Sequence, residues 1–303
     1  MTSLEIVALD TAGAEVFGCD LSSPIGGEID QLTAAFASFG LLIFRDQVLD
    51  EDDLTRCASL FGDPSPAVAT TNHGQWHAGN THHAAPMTGV LTALRGRSDT
   101  PDSHFASTYT ALDHLASTTR RALEGLYGLH VDPENRTSAT RHPIVIRHPL
   151  SGRKALFVNP ATTVGIEGMT DDAALPLLNQ LFEHGQSTEC VATISWEPGT
   201  VVLWDSRALW RLDPPNLDPE RFVAVEIAGT ELVAAVPQDS ADPSLVQRAG
   251  ATLAGGIITA AMTGIAEVMD PERVRPDVEI VAEAPDREPL DDGLDFGGLP
   301  PLE

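Results

Sequence analysis

Basic residues are scarce in this chain: 18 lysines and arginines stand against 44 acids, for a formal net charge of -26. An excess of that sign repels nucleic acid and anionic lipid, so neither is an expected partner, and it favours solubility. Cysteine is nearly missing too. Cys19, Cys57 and Cys190 are odd in number and far apart, without C-x-x-C spacing, which offers neither a disulfide framework nor a thiolate metal site. Residues Met1 to Asp10 lack a basic stretch followed by an apolar run, so no secretory signal is expected and a cytoplasmic location is. The longest apolar stretch, residues 249 to 265, is interrupted by four glycines and is too short to span a bilayer. A Gly-rich phosphate loop, a Walker motif and a Ser-His-Asp elbow are likewise missing.

What is present reads as a globular chain, since 42% hydrophobic and 20% charged residues exclude a disordered composition. A short strand at Leu4 to Val7 leads through a turn into Val16-Phe17-Gly18-Cys19-Asp20-Leu21. Ile29, Leu32, Phe36 and Phe39 at helical spacing predict a helix over 27–39, and Leu41-Leu42-Ile43-Phe44 a buried strand. Asp50 or Glu51 opens a second helix to Phe61, with Gly62 in the C′ position. Residues 63–100 look loop-rich and hold four of the ten histidines. A helix is expected over 108–129, then strands near 144–146 and 155–158, a helix over 171–184, and strands near 191–195, 201–204 and 222–227. Beyond 232 the character changes to a small-residue helix over 245–268 and a tail, 271–303, with ten acids against three arginines. Two parts follow: a domain over 1–232 and a C-terminal extension over 233–303, the surface on which self-association is expected.

The order of these blocks carries a resemblance. Phe44-Arg45-Asp46-Gln47, Leu60-Phe61-Gly62, Trp76-His77, His148 to Asn159, Trp196-Glu197-Pro198-Gly199 and Leu203-Trp204-Asp205-Ser206-Arg207 are similar, in order and spacing, to the taurine dioxygenase (TauD/TfdA) family. The resemblance implies an α+β fold with a mainly β core, a double-stranded β-helix (jelly roll, cupin-like) buttressed by helices. It also implies a His-x-Asp pair and a distant histidine holding Fe(II), with an arginine on the last core strand gripping 2-oxoglutarate. At those positions this chain has His77, then Gly79 for the carboxylate and Arg211 for the distal histidine. The cosubstrate arginine falls on Glu226, or on Val225 with a shorter loop.

One imidazole does not hold Fe(II), and a nearby cation repels it, so no cofactor is expected; Fe(II) and 2-oxoglutarate enter only under a different alignment. Arg211 and Glu226, on neighbouring strands of one cavity, are expected to pair, because a buried charge is costly alone. His77, Arg211 and Glu226 form the candidate acid/base set, titration of His77 lying near neutral pH. His73, His82, Ser103, His104 and Arg221 are candidate pocket residues, and His77 with His82 the donors of any non-standard metal site. Three functions stay open: a repurposed small-molecule enzyme, catalysing isomerisation, cyclisation or elimination in specialised biosynthesis; a silent relative binding a ligand or partner; and an oxygenase with a metal in the histidine cluster. Trp76, Trp196 and Trp204 are read as core, and Asp205 with Arg207 as a structural turn.

Overall fold

The run Leu41-Leu42-Ile43-Phe44 carries no polar residue because the strand it forms is covered on both faces. Leu41 and Ile43 belong to one buried cluster, Leu42 and Phe44 to another, as strand alternation requires. The computed structural model describes residues 4–24, 26–66, 74–86, 88–94, 100–215, 218–229 and 232–235. The helix expected over 245–268 and the tail over 271–303 lie outside the described residues.

In chain order the first strands are β1 (Glu5–Ala8), β2 (Ala14–Phe17), β3 (Leu41–Phe44), β4 (Pro64–Pro66), β5 (Gly89–Leu94), β6 (Ser103–Ser107), β7 (Tyr127–Val131) and β8 (Ala139–Pro143). Then come β9 (Val145–Arg147), β10 (Lys154–Leu156), β11 (Thr163–Ile166), β12 (Val191–Ile194), β13 (Val201–Asp205), β14 (Leu209–Leu212), β15 (Phe222–Ile227) and β16 (Val233–Ala234). The helices are α1 (Gly26–Phe39), α2 (Glu51–Ala58), α3 (Thr108–His114), α4 (Ser117–Leu123) and α5 (Asp171–Gly185). Seven strands form one sheet in the order β1-β2-β3-β13-β5-β15-β4, antiparallel except where β2 lies beside β3. Three smaller sheets have the orders β12-β6-β14, β11-β7-β8 and β10-β9-β16. The expected mainly β core with helical buttresses is therefore present.

One face of the large sheet, through Leu42, Phe44, Leu91 and Leu203, packs on Leu32 and Phe36 of α1 and Leu54 and Cys57 of α2. The other face, through Ile43, Val90 and Trp204, packs on Phe105, Ile194 and Leu209 of the β12-β6-β14 sheet. Each such side chain contributes about 1.5–3 kcal/mol on burial. The three cysteines are free and buried, and no helix among the described residues is long and apolar enough to cross a membrane.

Several sequence expectations need correction. The region 63–100 is not mere loop: it contains β5, which pairs with both β13 and β15 in the middle of the large sheet. Gly89-Val90-Leu91-Thr92-Ala93-Leu94 escapes notice because a strand buried on both faces shows no alternation. The single helix expected over 108–129 is two short ones, broken where Leu115 and Ala116 turn extended, and its end is β7. Strands β6, β8, β11 and β14 were not expected. Helix α2 opens at Asp50 with a reciprocal capping box to Asp53 but ends at Ala58 with Ser59 as its cap, so Gly62 stands beyond the helix rather than at C′. The body also runs slightly past residue 232, since β16 pairs with β9.

Gly89 is required by a close approach. A Cβ there would lie 2.5 Å from the backbone oxygen of Trp204 on β13, which cannot move without breaking the ladder. Gly89→Ala should lower stability by about 1–3 kcal/mol in urea unfolding at unchanged m. Gly165→Ala, whose Cβ would meet only a Leu129 methyl at 3.7 Å, should stay within about 1 kcal/mol of wild type. Equal losses in the two variants would refute the steric account.

Candidate functional site

His77 and Arg211 face one another across an antiparallel bridge. His77 N donates to the Arg211 carbonyl at 2.9 Å, and Arg211 N donates to the His77 carbonyl at 2.7 Å. Residues paired in this way project to the same face, with Cα atoms about 5.5 Å apart. Arg211 lies on β14 opposite Phe105 of β6, and Phe105 is buried between the two packed sheets. The imidazole and the guanidinium therefore both point inward. The His77 ring meets Trp204 edge-on at 6.0 Å between centroids, Trp204 lies 6.0 Å from Phe105, and the Arg211 guanidinium carbon sits 5.7 Å from the Phe105 centroid.

The carboxylate that meets Arg211 is Asp213, with Nε 3.0 Å from Oδ1 and 2.9 Å from Oδ2. This corrects the expected Arg211–Glu226 pair. Arg211 and Asp213 are alternate residues of one extended segment, so they share a face at contact distance; that i, i+2 spacing was the missed signal. Asp213 is itself held. Ser103 Oγ donates to its Oδ1 at 2.6 Å, and Trp196 Nε1 donates to Ser103 Oγ at 2.9 Å. Ser103, expected as a pocket residue, is here the partner of Asp213, while Trp196 is core and hydrogen-bond donor together.

The remaining candidates divide. Glu226 lies on β15 opposite Val90, and by alternation it shares the interior face with Phe222, whose ring lies 4.8 Å from that of Trp196. His104 is excluded as a pocket residue: it alternates with Ser103 and Phe105, points to the other face, and meets Thr193 Oγ1 at 3.0 Å. Arg221 ends a 3-10 turn (Pro219–Arg221) ahead of β15 rather than starting the strand. His73 lies outside the described residues. His82 stacks edge-on against His83 at 4.5 Å, in a cluster apart from the bridge. Among the described residues no group of three His, Cys, Asp or Glu is arranged to hold a metal ion. Gly79 adopts φ +52, a left-handed conformation that side chains rarely take, Asp and Asn most readily among them.

Two networks, one foreseen in part and one missed by sequence reasoning, support the centre. Asp205, fully buried at the end of β13, receives Arg207 Nε at 2.9 Å on Oδ1 and Arg207 Nη2 at 2.6 Å on Oδ2. His148 Nε2 lies 2.8 Å from the same Oδ2. Burial alone would push this carboxyl up, but Arg207 and His148 overcompensate and hold it at about 2. The turn expected from Asp205 and Arg207 is there, with His148 as an unforeseen third member. The second network straps down the loop that follows His77. Thr81 Oγ1 meets Thr162 Oγ1 at 2.6 Å, Asn159 Nδ2 at 2.9 Å and His130 Nδ1 at 3.1 Å, and His142 Nε2 contacts the His83 carbonyl at 2.9 Å. Desolvation, helped by His142 and His82, lowers the pKa of His130 to about 3.

Two surface clefts among the described residues, one beside Asp113 and Arg120 and one beside Arg136 and Asn179, are lined by none of these candidates. A sequence model described as "Taurine catabolism dioxygenase TauD, TfdA family" matches residues 5–210. An "Alpha-ketoglutarate-dependent dioxygenase cnsP" from Penicillium expansum is 26% identical over 244 residues, which is 64% of this chain and 66% of that relative's length. Among solved structures, a taurine dioxygenase from Burkholderia xenovorans superposes with a TM-score of 0.69 at 26% identity, covering 77% of this chain and 93% of its own. AAD-2 in complex with Mn(II) and N-oxalylglycine gives 0.69 at 24% identity, covering 77% and 100%.

The expectation that no cofactor is involved is overturned by curated relatives named for dependence on alpha-ketoglutarate, the Penicillium expansum dioxygenase among them. Toward a metal at the bridge, however, the described residues offer one imidazole. Gly79 has no donor, and the residue opposite His77 is a permanent cation already paired to Asp213. They do not complete a three-donor set.

Two outcomes check the supporting networks. The unfolded chain takes up a histidine proton below about pH 6.5, whereas folded His130 refuses it until about 3. The stability this histidine secures is therefore intact above 6.5 and lost progressively as the pH falls toward 3, by up to about 1.4 kcal/mol per pH unit. His130→Gln should flatten the slope of stability against pH by up to one proton in that window, and an unchanged slope would contradict the assignment. Asp205→Asn, by leaving Arg207 buried without its counter-charge, should cost about 3–5 kcal/mol in urea unfolding.

Proposed function

We propose that this chain, which belongs to the taurine catabolism dioxygenase TauD, TfdA family, acts on a small organic molecule between its two packed sheets, at a centre whose ligand set has been substituted. The strands are read as the family's double-stranded β-helix, with the centre at its His77–Arg211 bridge. Relatives named as alpha-ketoglutarate-dependent dioxygenases make chemistry on small organic substrates the starting point. Because the chain spans 66% of one such relative and 58% of another, substrate and reaction belong to this proposal.

The observation that carries the substitution is the two-bond bridge. It sets a guanidinium, rather than a second imidazole, on the same inward face as His77. His77 is the proton-transferring group in this reading, and Arg211 the charge that holds the substrate, backed by Asp213. Glu226, on the interior face of β15, is the candidate second acid/base group. Trp204 and Phe105 supply an apolar wall that excludes water.

The test is reconstruction. Arg211→His, and Gly79→Asp combined with Arg211→His, restore one and two donors beside His77. Asp is among the side chains that tolerate φ +52 best. Calorimetric titration with Mn(II) should show the double variant binding at least about tenfold tighter than wild type, since affinity rises with each well-placed ligand. Wild-type protein that already binds Mn(II) as tightly as the double variant would defeat the proposal.

A further inference from the structure

Arg211 has more donors than acceptors around it. A guanidinium carries five N–H groups in a rigid planar fork. In Arg211, only 8% exposed, Nε goes to Asp213 and Nη1 reaches Thr92 Oγ1 at a long 3.5 Å. Among the described residues nothing accepts the other three N–H groups; two can point off the Nη1–Nη2 end of the fork, and one Nη2 N–H lies beside Nε on the Asp213 side. Asp213 cannot swing round to cover them, because Ser103 fixes its Oδ1 and Trp196 fixes Ser103. The Trp196–Ser103–Asp213 chain thus grips the arginine by its inner edge and presents the outer one. Neither Nη1 nor Nη2 is a buried atom left without a partner, so the end of the fork is the part still accessible to a ligand group.

The surroundings narrow the chemistry. On the same inward face stand the His77 imidazole, across the backbone bridge, and the rings of Trp204 and Phe105. A planar group with two oxygens matches the end-on fork in a way a single acceptor does not, and the aromatic walls suit a carbon skeleton more than a fully hydrated ion. We infer that Arg211 is the anchor for the carboxylate of an organic acid, taken end-on by Nη1 and Nη2, with His77 beside its carbon skeleton. The inference rests on the substituted centre proposed above. In it the arginine does for a carboxylate what a bound cation would do, with a fork that fixes orientation as well as charge.

The experiment is a calorimetric titration of the full chain with 2-oxoglutarate, succinate and inorganic phosphate, in the presence of a chelator so that no metal contributes. Wild type should bind at least one of the two dicarboxylates. Arg211→Gln should weaken that binding at least about tenfold, and Arg211→Lys, which keeps the charge and loses the fork, should fall between. Equal affinity in wild type and Arg211→Gln overturns the inference, as does wild type that takes phosphate alone or none of the three. Should Arg211→Gln fail to fold, the Arg211 guanidinium nitrogen resonances of wild-type protein decide: a shift on adding the dicarboxylate supports the anchor, and no shift refutes it. The two proposals fail separately. A double variant that gains Mn(II) while Arg211→Gln keeps its carboxylate removes the anchor and leaves the substituted centre. Wild type that binds Mn(II) as tightly as the double variant removes the centre whatever the carboxylates do.

Discussion

Asp205 carries a full negative charge with no exposed surface, at the point where β13 turns toward β14. An isolated carboxylate there would take a proton or unfold the turn. Two cationic or hydrogen-bonding partners prevent this, one from two residues further along and one from the segment joining β9 to β10. The turn through Ser206 and Arg207 decides where β14 begins, and hence that Arg211 is the residue lying between Phe105 on one side and His77 on the other. The candidate centre depends on an ion pair outside it. A one-residue slip in this turn would send the Arg211 side chain to the opposite face.

Much of the body was legible because its signals are local. The apolar periodicity of α1, the capping residue of α2 and the unbroken apolar run of β3 each state a local preference that the packing then satisfies. What escaped has a common cause. Strand β5, at the middle of the large sheet, lacks alternation because it is buried on both faces, and α3 and α4 share a helical pattern that two extended residues interrupt. At the site, the positions of His77, Gly79 and Arg211 follow from spacing within family blocks. The partner of Arg211 was misassigned: Glu226 was expected by family position, whereas the i, i+2 neighbour Asp213, on the same extended segment, makes the pair.

The chain is strongly acidic, while the group that would grip the ligand at the proposed centre is a cation already paired to one carboxylate. A net charge of -26 opposes the approach of any organic anion, but at physiological ionic strength that repulsion fades over about 8 Å. Arg211 acts inside that distance and behind low-dielectric walls, where its charge is screened far less. An acidic protein can hold an acidic ligand in this arrangement, provided recognition is confined to a short-range, geometrically fixed contact. The Ser103–Asp213 bond and the Trp196 indole supply that rigidity from residues that touch the arginine's partner and not its outer edge.

Trp204 has two addresses. It belongs to the close-packed layer between the large sheet and the β12-β6-β14 sheet, and its ring also borders His77; Phe105 and Trp196 are shared in the same manner. On the reading proposed above, the walls of the centre are the core itself, so they cannot be varied for a new substrate without loosening the packing of the two sheets. Evolutionary change at such a centre is channelled to the polar tips that project from the walls. On that same reading, positions 79 and 211 are where such change has fallen.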